Sequence, residues 1–382
     1  MSGDILYQAL FWLSLFLIFW TYFGYMLALK IISIFAAKAV KKSDYFPEVS
    51  LIVTAYNEEQ NIERKIENCL SLTYPADKLE IIIVSDGSTD RTEEIIRSYE
   101  DRGIKLLAGP ERRGKHYGQG DGIKMAKNDL LVLSDATTFL KEDSIEKIVR
   151  NFADPEIGCV SGFDQILDED KSPQGEGAYV KYEMKLRSLE NSANSLVGVS
   201  GCFYAVRKEL CSEWIGNMSA DFYLPIISFK RGFRTVLEPE AVAYYEVSND
   251  PGEEFTRKVR TVVHGMEVLK RFKEILNPFE YGFFSIQMIS HKLSRWLVPF
   301  YLIVALFSNI FIAGQRDFYL LAFICQALFY GIAIMAYFVE DFRENAILKL
   351  PLFFISVNYS ILVAWNDFIS GRDFVRWEPT KR

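Results

Sequence analysis

From Leu6 to Leu29 the chain is an essentially uncharged apolar run, and no other feature limits its fold as strongly. A membrane-crossing helix needs ~20 such residues, so the run is long enough to span. Lys30, Lys38, Lys41 and Lys42 follow it. Its length, the positive charge behind it and the lack of a small-residue cleavage site argue against a signal peptide. The run reads as a retained transmembrane helix. Trp296 to Ala313, Phe318 to Val339 and Leu350 to about Phe368 are further candidate spans, the last interrupted by Asn358, Asn366 and Asp367. Buried helices of a soluble core do not explain them, because they are too long and lack a polar face. The lysines after the first span place the middle of the chain on the cytoplasmic side. Three later spans would leave the C-terminus outside, whereas Arg372, Arg376, Lys381 and Arg382 argue for inside. Either the tail breaks the rule, or one late segment is re-entrant or interfacial.

The middle of the chain has a different texture. Ile81 to Val84 reads as a strand buried on both faces, and Ser85-Asp86-Gly87-Ser88-Thr89-Asp90 ends it at once. Val49 to Thr54 repeats the construction and ends in Ala55-Tyr56-Asn57-Glu58-Glu59. Leu130 to Leu133 repeats it again and ends in Ser134-Asp135-Ala136-Thr137. Helical patterns lie between the strands, so their carboxyl ends gather at one edge of a parallel sheet, where ligands of open α/β sheets bind. A turn followed by a helix cap explains any one of these loops, but not the repetition. A short strand, Ile104 to Leu107, leads to the basic loop Gly109 to Lys115, whose Arg112, Arg113 and Lys115 suit either a diphosphate or solvent. Asp135 is placed to ligate a divalent cation. Asp221 opens an apolar helix over Phe222 to Lys230 and reads as a cap or as a general base. Glu253 to Phe272 is basic and amphipathic, as expected of a helix on the inner membrane surface.

These patterns divide the chain into a transmembrane helix and basic linker (1–45), a cytoplasmic α/β domain (46–252), amphipathic interfacial helices (253–294), and a membrane region with about three spans and a tail (295–382). Five cysteines without metal-ligand spacing and three scattered histidines suggest no zinc or histidine site. A net charge of −7 without a long basic run speaks against nucleic acid as a partner.

Val49 to Glu59, Ile83 to Asp90, Arg113-Gly-Lys115, Ser134-Asp-Ala-Thr137 and Ser219-Ala-Asp221 together resemble the family-2 glycosyltransferases of the GT-A fold, in their membrane-embedded branch. The resemblance covers about Val49 to Arg260. It implies a Rossmann-like nucleotide-sugar-binding domain between N- and C-terminal transmembrane helices. It implies an inverting transfer from a nucleotide-sugar, UDP-linked in the expected form, to a lipid-linked or polysaccharide acceptor at the cell membrane. Tyr56, Glu58, Asp86, Lys115 and Asp135 would then hold the donor, with Arg257 and Arg260 as phosphate-binding groups. Asp135 would hold a Mg²⁺ or Mn²⁺ ion, and Asp221 would deprotonate the acceptor hydroxyl. Membrane lipids and other envelope-biosynthesis proteins are the implied partners. Three departures stand out. Thr137 replaces the second Asp of Asp-x-Asp and is a poorer ligand for a hard cation. Gly118-Gln-Gly120 stands where an Ala-Leu-Asn run is usual. The Gln and Trp of the processive Gln-x-x-Arg-Trp motif are missing around Arg260, which leans toward adding one or a few sugars. A catalytically weak, donor-binding subunit of an export complex is the alternative reading.

Overall fold

The computed structural model describes residues 2–35, 37–167, 176–246, 250–339, 342, 345 and 347–372. Arg376, Lys381 and Arg382 of the tail therefore lie outside the described residues. The strands are β1 (Val49–Ala55), β2 (Leu79–Ser85), β3 (Ile104–Ala108), β4 (Leu130–Asp135), β5 (Thr138–Leu140), β6 (Ile157–Ile166), β7 (Phe203–Arg207) and β8 (Arg234–Tyr245). They form one sheet in the order β3-β2-β1-β4-β7-β6-β8-β5. From β3 to β4 the pairing is parallel, as the repeated strand-and-loop units require. Beyond β4 the sheet is mixed. Strand β7 runs against both β4 and β6, and β6 is parallel to β8. The carboxyl ends of β1, β2, β4 and β6 thus emerge at the same edge.

Alternation along the strands feeds two cores. Ile81 and Ile83 point into one face with Leu51, Val53, Ile62 and Ile66. Ile82 and Val84 point into the other with Ile52, Leu131, Leu133 and Tyr223. No residue from Ile81 to Val84 is more than 7% exposed, which is why this strand lacks a polar face.

The helices Asp4–Phe35, Phe283–Ile312, Asp317–Phe338 and Lys349–Ser370 are each long and apolar enough to cross a membrane. The second begins well before Trp296, because Phe284 and Met288 join the second core and draw the helix onto the sheet. The first runs antiparallel to it: Trp20 Nε1 donates to Ser290 Oγ at 3.1 Å, and Gln8 Nε2 to Gln315 Oε1 at 2.7 Å. Both helices reach the Glu176–Ala193 helix of the domain. His291 lies between Glu190 (2.9 Å) and Glu183 (2.9 Å), Arg295 Nη1 donates to Glu183 Oε2 at 2.8 Å, and the Tyr25 hydroxyl donates to Glu190 at 2.7 Å.

The Pro251–Arg271 helix departs from expectation in what its apolar side touches. Met266, Val268 and Leu269 fill the second core, while Val259 and Val263 pack on Ala364. Its amphipathicity serves contacts within the chain. The Lys349–Ser370 helix lies along it: Tyr359 meets Phe255 (ring centroids 5.8 Å), and Lys270 sits 5.5 Å from the Phe368 ring.

Candidate active site

The loops after β1 and β2 are sewn together. Asn57 accepts from Thr89 N at 2.8 Å, Glu58 N donates to Thr92 Oγ1 at 2.8 Å, and Glu59 N donates to Asp90 Oδ2 at 3.1 Å. Asn57 takes a left-handed φ of 50° to make this turn, which Asn tolerates better than most residues. Buried Glu58 accepts from Asn61 Nδ2 at 2.9 Å. Asp86, only 5% exposed, accepts from the backbone N–H groups of Arg113 (3.0 Å) and Gly114 (2.6 Å). The β2 carboxylate therefore anchors the basic loop. Gly87 has φ 69°, and a Cβ there would fall 2.5 Å from the Glu111 carbonyl carbon, so only glycine fits where the two loops cross. The Arg112 guanidinium lies 4.1 Å from the centre of the Tyr56 ring. A cavity of about 400 Å³ opens beside Asp86 between Ala108, Gly109, Arg113 and Asp121.

The Gly118-Gln-Gly120 departure has a packing reason that extends to Gly122. A Cβ at Gly122 would fall 2.6 Å from Ile52 Cγ2, so glycine lets the Lys115–Met125 helix lie close on β1. That helix opens with Lys115, whose Nζ lies 2.5 Å from Asp135 Oδ1 and donates to Gly201 O at 2.8 Å. Burial opposes the Lys115 charge, but Asp135, with Cys202 and Asp221, holds its pKa above the ordinary value. Its neighbour His116 is pushed down to about 4, by burial first and then by Lys115.

Asp221 completes the group. Its Oδ1 accepts from Ser219 Oγ at 2.7 Å, and its Oδ2 faces Gly201, where an added Cβ would lie 3.6 Å away. Lys115, Asp135 and Asp221 thus converge on the Ser200-Gly201-Cys202 turn that leads into β7. Arg257 and Arg260 come from the Pro251–Arg271 helix. Arg257 makes a two-pronged pair with Glu254, both contacts at 2.7 Å. Arg260 is half-buried, and burial, with Arg257 nearby, lowers its pKa to about 10. Burial, Asp135 and Asp164 push the Cys202 thiol up to about 12 against Lys115 and Arg257, so Arg257 is electrostatically linked to the group. Tyr56, Glu58 and Asp86 stand farther along the edge, on the β1 and β2 side.

Two further residues belong here. Lys65 is fully buried under the Asp135 loop; its Nζ donates to Ser134 Oγ at 2.8 Å and to Thr138 O. Asp164, near the end of β6, accepts from Ser200 Oγ at 2.5 Å. Burial raises its pKa, and the Asp135 and Asp221 charges add to the rise. Val160-Ser-Gly-Phe-Asp164 carries the same strand-then-acid signal as the three loops read from the sequence. The apolar run Ile157 to Val160 gives way to Ser161-Gly162, so a strand read from local pattern stops short of Asp164. Lys65 gives no local signal, because its role depends on a loop 69 residues away.

Among the described residues no group of three or more His, Cys, Asp or Glu side chains is arranged to hold a metal ion. The Asp135 loop offers one carboxylate and Thr137. That set fits a divalent cation only if the remaining ligands are phosphate oxygens of a bound donor, a common arrangement for Mg²⁺.

Residues 50–213 match the family model described as glycosyl transferase family 2. Among curated proteins, the chain is 30% identical over 238 residues to poly-beta-1,6-N-acetyl-D-glucosamine synthase of Staphylococcus aureus, covering 60% of this chain and 57% of that protein. The chain thus spans a little over half the length of that relative. It is 25% identical over 344 residues to the Staphylococcus epidermidis synthase, covering 87% of this chain and 79% of that protein. Among solved structures, a mannosyltransferase from Pyrobaculum calidifontis in complex with GDP-Man and Mn²⁺ superposes with a TM-score of 0.73 at 20% identity, over 97% of this chain and all of that one. This last likeness establishes the fold: an α/β GT-A core, flanked at both ends by helices long and apolar enough to cross a membrane.

Proposed function

We propose that this chain is a family-2 glycosyltransferase, a reading supported by the match of residues 50–213 to that family's model and by the GT-A fold, and that it carries out an inverting transfer from a nucleotide-sugar, UDP-linked, to a lipid-linked or polysaccharide acceptor. The observation that carries this reading is the convergence of Lys115, Asp135 and Asp221 on Gly201 at the carboxyl edge of the sheet. The base and ribose would lie toward Tyr56, Glu58 and Asp86, beside the cavity next to Asp86. The Arg113-Gly-Lys115 loop would hold the diphosphate. Asp221 takes the proton of the acceptor hydroxyl as that oxygen attacks the anomeric carbon. The bond from that carbon to the diphosphate oxygen breaks, and its electron pair leaves with the diphosphate. Attack from the side opposite the leaving group inverts the configuration. Lys115 offsets the charge that grows on the diphosphate, as fixed cations do in such sites. Arg257 and Arg260, on the Pro251–Arg271 helix, would approach the same phosphates. Asp135 would share a Mg²⁺ or Mn²⁺ ion with the donor; the ion supplies Lewis acidity at the leaving oxygens. Likeness to the staphylococcal synthases makes UDP-N-acetylglucosamine the first donor to try.

The chain is a multi-pass membrane protein. We place the catalytic domain on the cytoplasmic side, where nucleotide-sugars are made and where Lys30, Lys38, Lys41 and Lys42 favour it. We also infer that the Lys349–Ser370 helix lies in the interface without crossing. Both its ends touch the domain side of the spans: Phe354 meets Tyr22 (5.6 Å), and Trp365 Nε1 donates to Trp296 O at 2.9 Å. On this reading the chain would return to the domain side after this helix, in keeping with the basic residues that follow it in the sequence. An impermeant maleimide should label Lys381→Cys only from the side that carries the domain; labelling from the opposite face would restore a third late span.

The experiment for the activity is a donor panel. Full-length protein in detergent, with membrane lipid extract as acceptor source, is assayed for nucleotide release with Mn²⁺, Mg²⁺ or EDTA. Release from one UDP-sugar, lost with EDTA, supports the reading. Donor binding without release under every condition would favour a donor-binding subunit of an export complex.

A further inference from the structure

The strand-then-acid pattern has a fourth member. Strand β6 runs in the same direction as β1, β2 and β4, so Asp164 reaches the edge that carries Asp86 and Asp135. Its position along that edge matters. Groups on β2, β1 and β4 occupy the donor side in the reading above, and Asp221 stands past β4. Asp164 is two strands beyond β4, or ~10 Å at ordinary strand spacing. That is the side from which an acceptor must come if it attacks opposite the leaving diphosphate.

The carboxylate is prepared for a ligand. Ser200 Oγ accepts from Cys202 N (3.1 Å) and Phe203 N (3.2 Å), so its proton is left to go to Asp164 Oδ1 at 2.5 Å. Ser200 N is itself held by Ser161 Oγ at 2.8 Å. This chain of bonds fixes the Asp164 side chain, which is 15% exposed. Its Oδ2 lies 4.0 Å from Arg187 Nη1, beyond hydrogen-bond reach, and accepts no hydrogen bond among the described residues. A fixed, partly desolvated carboxylate with one open oxygen suits a neutral hydroxyl donor. It suits a metal ion poorly, because Arg187 already supplies positive charge and no third ligand converges.

We propose that Asp164 is an acceptor-binding residue: its Oδ2 accepts a hydrogen bond from a hydroxyl of the acceptor saccharide, next to the hydroxyl that Asp221 deprotonates. This deepens the transferase reading and rests on it. Ser200 acts through Asp164 as a positioning residue.

The test uses the full-length chain in nanodiscs and two probes, UDP and the β-linked disaccharide of N-acetylglucosamine. Binding of each is measured by saturation-transfer NMR, which needs no turnover, on wild type, Asp164→Asn and Ser200→Ala. Losing one charge-assisted hydrogen bond should weaken disaccharide binding about tenfold in Asp164→Asn. Ser200→Ala should show a smaller loss, and UDP binding should be unchanged in both. Equal disaccharide binding in wild type and Asp164→Asn overturns the proposal, as does a parallel loss of UDP binding or no disaccharide binding by wild type. Failure of the transferase reading itself looks different: wild type would bind neither UDP nor a UDP-sugar.

Discussion

The loops after β1, β2 and β3 hold one another through backbone N–H groups and short side chains, all within one run of sequence from Ala55 to Lys115. The groups beyond β4 are held by partners far apart in the chain, several on helices that also touch the membrane spans. Asp164 faces Arg187, Arg187 pairs with Glu183, and Glu183 meets His291 and Arg295 of a span-length helix. On the proposed reading the donor half of the edge is a self-contained α/β unit, and the acceptor half is shaped by the span-length helices. Such a transferase, taking a soluble donor and a membrane-held acceptor, would gain from that division, since each half would be built where its substrate arrives.

The comparison can be broken by mutation. The largest effect should come from Glu183→Ala, which leaves Arg295 and His291 without their shared carboxylate. Removing one partner of a buried ionic cluster costs about 3 kcal/mol or more. The melting temperature in detergent should fall, and acceptor-dependent transfer should suffer more than UDP binding. Equal losses in both would mean the halves are not separable. Asp86→Ala should do the reverse. It frees the N–H groups of Arg113 and Gly114, and two such bonds at about 1 kcal/mol each predict UDP binding weaker by about 30-fold. Calorimetric titration with UDP reads this directly, with disaccharide binding unchanged. Gly87→Ala sharpens the same point: its φ of 69° and the 2.5 Å clash with Glu111 should cost about 1–3 kcal/mol, seen as weaker UDP binding and a lower melting temperature.

The smallest effect is a pH dependence. Glu238 is buried, and although burial raises its pKa, Arg150, Lys42 and Asn151 hold it below the ordinary 4.5. A carboxylate depressed in the folded state stabilises the fold above its unfolded pKa and loses that contribution as pH falls through its folded pKa. Wild type should therefore lose stability below about pH 4.5, and Glu238→Gln should flatten that acid limb. An unchanged limb in thermal melts from pH 6 to 3 would show that the link from Lys42 to the sheet adds nothing.

The same contrast explains what could be read from the sequence. The parallel half was legible because its signals are local: Ile81 to Val84 followed by Asp86, and the repeats ending at Glu58 and Asp135. The four span-length helices were legible from their apolar runs. The mixed half was not. The direction of β7 follows from pairing with β4 and β6, which no local pattern records. Lys65 reads as an ordinary helix residue until the fold sets it under Asp135. The apolar side of Pro251–Arg271 looks membrane-facing until the sheet and Ala364 cover it. Asp164 obeys the rule that marks the other acids, but Ser161-Gly162 breaks the apolar run before it, so local pattern stops the strand early.

The measurement that bears most directly on the central claim is nucleotide release by wild type and Asp221→Asn at saturating UDP-sugar, with UDP affinity determined for both. Removing a general base should slow release about 10²- to 10⁴-fold while UDP affinity stays the same, because Asp221 lies outside the donor loops. Release that survives in Asp221→Asn at the wild-type rate would contradict the assignment of this edge as a base-assisted transferase site.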